Sequence, residues 1–188
     1  QMHALYMETL AYATGELLSS PAWQQKTDGF FERLARLTGA ERICLLEIRQ
    51  RPAEAPSVFP ARVWKDAASP GCPELPAEAP TACFSLPRWQ AELAQRRAVA
   101  GSLQDLPEDE RALLQGLGIQ FVLAVPVFFD ERWWGYVQLD FCSRSLRWPL
   151  DKVFFLQAVI QVLGAAIQRR QTERAIQGLY TSERLQRM

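Results

Sequence analysis

The sequence predicts an α+β layered domain: an antiparallel sheet of about six strands, helices on both faces, and a long helix at each end. Three observations lead there. Residues 121–129 (FVLAVPVFF) and 133–141 (WWGYVQLDF) are strand-like apolar runs separated by the polar turn Asp130, Glu131, Arg132, as in a β-hairpin. Predicted elements run helices, strands, helices, strands, helix, an order suited to an antiparallel sheet covered on both sides. Residues 153–167 form one apolar helix broken only by Gln157 and Gln161 among its polar positions.

Each element has its own signal. Residues 3–19 read as a helix, with Leu5, Leu10, Ala13, Leu17 and Leu18 at 3- and 4-residue spacings. Ser20 suits an N-cap and Pro21 an N1 position for a second helix over 22–38, with Gly39 as its C-cap. Its apolar side is Phe30, Phe31, Leu34 and Leu37. Residues 42–48 and 57–65 read as strands joined by a Pro-rich turn. Residues 66–83 carry four prolines and no basic residue; this is a long loop, expected to be mobile. A short strand at 84–86, a helix at 87–97, a strand at 99–103 and a helix at 107–117 precede the hairpin. Glu108, Asp109 and Glu110 fall in the first turn of that last helix, where its dipole favours them.

The chain has 188 residues, 48% of them apolar, and zero formal net charge. That is enough apolar content for a real core in a single domain. The charge balance argues against a nucleic-acid-binding module. No apolar run reaches the length of a membrane span, and no signal peptide is visible. The cysteines Cys44, Cys72, Cys83 and Cys142 show no CxxC spacing. A disulfide framework is not expected, and the compartment reads as cytoplasmic. Gln1 ahead of Met2 reads as a cloning scar or an excised fragment.

The final helix speaks about assembly. Its apolar arc is too wide for a helix packed on a sheet alone. Val153, Leu156, Ile160, Leu163 and Ile167 form one subface; Phe155, Val159, Val162 and Ala166 form the other. The first suits the sheet. The second is the expected interface of a homodimer formed through the terminal helices, although the N-terminal helix of the same chain is an alternative cover.

Catalytic chemistry is sparse. The one histidine, His3, lies outside the globule, so no Ser-His or Cys-His pair can form. There is no Walker loop and no GxGxxG. No metal site and no cofactor are expected. Arg88, Arg96 and Arg97 read as a solvated face. On the strand from Trp134, alternation puts Trp134, Tyr136, Gln138 and Asp140 on one side. Polar groups there either serve a small molecule or satisfy loop backbone.

The order GIQFVLAVPV (118–127), hairpin, WWGYVQLD (133–140), Arg147-Trp148, then a long helix resembles the GAF domains, a PAS-related family. The resemblance covers about residues 20–170. It is nearest in character to GAF domains upstream of histidine kinases and diguanylate cyclases. It implies a non-catalytic sensory or regulatory module of cytoplasmic signal transduction, covalently linked to an effector. The division would be a helix over 1–19 for signalling and dimerisation, a GAF-like unit over 20–170 and a linker helix over 171–188 leading to an effector absent from this chain. A GAF pocket lies on one sheet face under the loops and short helices, here 66–117. Trp64, Phe84, Trp89, Val99, Gly101, Phe121, Tyr136, Gln138 and Asp140 are the candidate lining. The chain lacks the NKxFxDE pattern of cyclic-nucleotide-binding members and the Pro-Cys-His setting of bilin attachment. It also lacks the WxGPF and GVCG segments of free methionine sulfoxide reductases. An unknown small-molecule ligand remains. The alternatives are a pure dimerisation module with a filled pocket, or a cysteine-based redox enzyme using Cys72 or Cys83.

Overall fold

The computed structural model describes residues 2–69, 71–143 and 150–186; Arg147, Trp148 and Pro149 of the family-like motif lie outside them. Helix α1 (Met2–Tyr12) passes through a π-helical turn at Ala13–Leu17 and is followed by α2 (Trp23–Thr38). The expected Ser20 cap is not formed: α2 starts at Trp23 with Ala22 at the N-cap, and Ser20 Oγ instead accepts from Ala22 N at 3.2 Å in the turn ahead of the helix. Gly39 ends α2 in the left-handed region at φ 81°, donating to Ala35 O at 2.7 Å.

The sheet has five strands: β1 (Arg42–Arg49), β2 (Ser57–Lys65), β3 (Val99–Ser102), β4 (Phe121–Phe129) and β5 (Arg132–Phe141). Their order is β2-β1-β5-β4-β3, with every neighbouring pair antiparallel. The fold class is as expected. The strand anticipated at 84–86 is absent because Phe84 ends a short helix, α3 (Ala79–Phe84), which has Pro80 in its first turn. Helices α4 (Pro87–Ala94) and α5 (Glu108–Gly116) complete that side. Among the described residues no helix is long and apolar enough to cross a membrane.

Two apolar cores result, one on each sheet face. Helices α1, α2 and α6 (Leu150–Gln186) cover Ile43, Leu45, Leu123, Val125, Val137 and Leu139. Helices α3, α4 and α5 cover Cys44, Leu46, Val122, Ala124 and Tyr136. Two glutamines of α6 reach the hairpin. Gln161 Nε2 donates to Pro126 O at 2.8 Å and Gln168 Nε2 to Asp130 Oδ2 at 3.3 Å.

The second subface of α6 is covered from within the chain. Val159 and Ala166 are buried, Phe155 and Val162 are partly buried, and the Tyr6 and Phe155 rings lie 4.0 Å apart. The expected dimer positions Phe155, Val159, Val162 and Ala166 therefore pack in the monomer's own core, against its N-terminal segment. The side chains α6 leaves exposed include Phe154, at 69%.

Candidate functional site

Register decides what faces the lid. Arg42 pairs with Asp140, Cys44 with Gln138 and Leu46 with Tyr136. Directly opposite residues share a face, so Arg42, Asp140, Gln138 and Tyr136 all point toward α3 and α4. Phe84, Trp89 and Val99 join them in the same cluster. Gly101 lies over against Val122, and a Cβ there would sit 2.4 Å from Leu106 Cδ2, so glycine lets Leu106 close over the sheet.

Two candidates fall on the wrong face. Trp64 pairs with Ile43 and Phe121 with Phe141, and both belong to the helical core. Strand β4 is buried on both faces almost throughout, so its apolar run carries no alternation from which to read a side. Trp134 also departs from expectation. The register shifts between Val127 and Phe128, leaving Trp134 as the extra residue of a bulge. Trp134 consequently stacks on Phe129 at 5.6 Å in the helical core, while Trp133 meets Phe84 at 5.6 Å on the lid side. Gly135 permits the crossing: a Cβ there would sit 1.9 Å from Leu46 O.

The centre of the lid face is packed. Trp89 and Tyr136 are fully buried, and the Tyr136 ring stands 6.5 Å from Trp89 and 6.4 Å from Phe84. Beside this aromatic block lies an ionic network. Arg42 Nε donates to Asp140 Oδ2 at 2.7 Å, Arg42 Nη1 to Pro73 O at 2.6 Å, and Gln138 Nε2 to Asp140 Oδ1 at 2.8 Å. Three polar atoms of this group, Arg42 Nη2, Gln138 Oε1 and Tyr136 Oη, are buried with no hydrogen-bond partner. Burial pushes the Asp140 carboxyl above its ordinary range, a rise that Arg42 and Gln138 only partly offset. Burial also raises the Tyr136 phenol. An open groove of about 240 Å³ adjoins the network, lined by Arg42, Val63, Lys65, Leu75, Pro76 and Pro80 among others. That is below the usual range of ligand pockets, roughly 300–1,000 Å³, and fits only a small molecule.

Sequence reasoning missed Arg42, whose only signal is a cation placed directly ahead of the apolar run 43–46 of β1. It also missed the role of Glu110. That carboxylate is buried and takes Arg88 Nε at 2.6 Å, Arg88 Nη2 at 2.5 Å and Trp89 Nε1 at 3.2 Å, clamping α5 to α4. Arg88 is thus a structural clamp rather than a solvated cation. The cysteines also depart from expectation. Cys72 and Cys142 form a disulfide, while Cys44 and Cys83 are buried free thiols. Burial pushes Cys83 up to about 12 and raises Cys44 as well. With the Cys72–Cys142 bond formed, neither Cys72 nor Cys83 presents a free thiolate in this state.

The GAF domain profile matches residues 24–167. The chain belongs to the GAF domain family. Over 80 residues it is 36% identical to the methanogenesis regulatory histidine kinase FilI of Methanothrix harundinacea (strain 6Ac), a match covering 43% of this chain and 9% of the kinase. Solved structures share the fold at low identity. A phycoerythrobilin-bound GAF domain from a cyanobacterial phytochrome aligns with TM-score 0.72 and 14% identity, over 92% of this chain and 99% of that one. A domain assigned to a two-component sensor histidine kinase of Sinorhizobium meliloti 1021 aligns with TM-score 0.61 and 16% identity, over 84% and 99%.

Proposed function

We propose that this GAF domain is a non-catalytic sensory module that holds a small molecule beside the Arg42–Asp140 pair and signals through α1 and α6 to a linked histidine kinase or diguanylate cyclase. The observation that carries this reading is the group of unpartnered polar atoms on Arg42, Gln138 and Tyr136, of which Arg42 also lines an open groove. Buried polar atoms without partners each cost roughly 1–3 kcal/mol, a cost that a ligand supplying donors and acceptors removes. Similarity over 80 residues to a regulatory histidine kinase supports a kinase as the linked effector. The chemistry belongs to the cytoplasmic side of signalling, where such kinases and cyclases find their nucleotide substrates.

Dimerisation belongs to the same reading, with a changed surface. The exposed strip on α6 carries Phe154 at 69% exposure, and α1 exposes Met7 at 52%. A second copy of the chain packed on this strip would place two α6 helices side by side and pass a shift from one lid to the effector. Phe154→Glu should leave stability within about 0.5 kcal/mol, as for exposed sites generally, and yield monomer in sedimentation velocity. Wild type that already sediments as monomer at tens of micromolar (a Kd of 1 μM corresponds to roughly −8 kcal/mol) would remove the dimer.

A second reading has its own support. The fully buried Trp89 and Tyr136 fill the centre of the lid face, as in a dimerisation module with no ligand. Native mass spectrometry separates the two, since only the sensor retains a small molecule.

A further inference from the structure

The loop expected to be mobile is tied down. Cys72, midway between β2 and α3, is bonded to Cys142, 70 residues away and next after the last residue of β5. Polar contacts hold the same junction. Cys142 N and Ser143 N donate to Glu41 Oε2 at 2.6 and 2.7 Å, and the Ser69 and Ser143 hydroxyls donate to Glu41 Oε1. Arg42 holds Pro73 O from the other side. Cys72 itself is buried, yet Gly71 and Pro73 on either side of it are exposed, so a single layer of loop separates the bond from water. Helix α6 begins at Leu150, eight positions after Cys142. One covalent bond thus joins the lid loop to the chain segment that feeds the longest helix.

We infer that Cys72 and Cys142 form a reversible thiol–disulfide sensing site, with dithiol reductants as its chemical partner. A thiolate of the dithiol attacks one of the two sulfurs. The Sγ–Sγ bond breaks, and the departing cysteine leaves as thiolate and takes up a proton. The reductant's second thiol then attacks the mixed disulfide and expels the other cysteine, which is protonated in turn. The dithiol is oxidised to a disulfide by two electrons, and the protein gains two thiols. The reduced loop keeps its Glu41 and Arg42 contacts, so both redox states are folded and differ in how firmly the lid is joined to β5. Cys44 and Cys83 stay out of this exchange, being buried and hard to ionise. This site goes beyond the ligand reading and does not depend on it.

The test uses dithiothreitol on the whole chain, with native alkylation by iodoacetamide and amide exchange read by mass spectrometry. Without reductant none of the four cysteines should be alkylated. After dithiothreitol, Cys72 and Cys142 should react while Cys44 and Cys83 remain protected. Exchange in residues 66–78 and in the first turns of α6 should accelerate together, by about tenfold or more, as local opening is relieved of a covalent tie. Cys72→Ser should show the reduced exchange pattern and ignore the reductant. If that variant does not fold, reduction of the wild type decides alone. Free Cys72 and Cys142 in the air-equilibrated protein would overturn the proposal. So would reduction that loosens 66–78 and leaves α6 unchanged, the mark of a structural staple.

Discussion

The two faces of the sheet differ in how their buried polar groups are satisfied. On the helical face three buried threonines are satisfied within their own helices, beside the buried Glu41 carboxylate and the unpartnered Trp134 Nε1. Thr9, Thr27 and Thr38 donate to the carbonyls of Leu5, Trp23 and Leu34 at 2.7–2.8 Å. On the lid face they are charged and joined across the chain: Arg42 to Asp140, 98 positions apart, and Arg88 to Glu110, 22 apart. Local satisfaction demands nothing of the tertiary fold. Long-range ion pairs in a dry interior cost desolvation, and similar apolar residues would often be as stable or more so. The contrast teaches that the lid face alone, among the described residues, buries both partners of an ion pair, Arg42 and Asp140, an arrangement that stability alone would not select.

The largest break in this contrast should come from Asp140→Ala. It leaves Arg42 charged and buried without its partner, a loss of about 3–5 kcal/mol in urea unfolding. Replacing both, as Arg42→Met with Asp140→Leu, should recover most of that loss. A single variant as stable as the double would show that the pair is not buried as described.

Leu156→Ala sharpens the other side. Leu156 is fully buried in the helical core, and its truncation should cost about 3 kcal/mol. The dependence of stability on any added ligand should be unchanged, which differential scanning calorimetry with and without ligand can check.

Acid should separate the faces more gently. Burial raises the Glu41 carboxyl, but bonds from Ser143, Ser69 and the backbone N–H groups of Ser143 and Cys142 outweigh it and hold it below the ordinary range. Its stabilisation is complete above the unfolded carboxylate pKa and is lost as pH falls through the lower folded value. Asp140, shifted upward, acts in the opposite sense: its contribution improves as pH falls through its folded pKa. Glu41→Gln should therefore blunt the loss of stability on acidification. An unchanged acid limb in pH-dependent melting would contradict the Glu41 network.

The sequence showed much of this architecture and little of its pairing. Periodicity located the helices, and Gly39 ended α2 where expected, while the N-cap read at Ser20 fell two residues ahead of the one α2 uses. Alternation in β5 correctly grouped Tyr136, Gln138 and Asp140, because that strand intersperses polar with apolar positions. It failed at Trp134, where a bulge inserts one residue and reverses the side, and at Phe121, where both faces are apolar. The wide apolar arc of α6 was legible, and of the two covers it allowed for its second half, a second copy or the chain's own N-terminal helix, the structure has the latter, with Tyr6 on Phe155. The disulfide left no trace in cysteine spacing, since its partners meet only when the 66–78 loop folds against the end of β5. Arg42 becomes a site residue only through the register that sets it opposite Asp140.

The claim that the lid face is held polar for a ligand meets its most direct test in Tyr136→Phe. The change removes a buried hydroxyl that has no partner and keeps the ring that packs on Phe84 and Trp89. Native mass spectrometry and urea unfolding on the same purified samples read both consequences. The account predicts a wild type that carries a noncovalent small molecule, and a variant that loses it while gaining about 1 kcal/mol of stability in the stripped form. A wild type whose native mass equals the polypeptide alone, with a variant of unchanged stability, would contradict it.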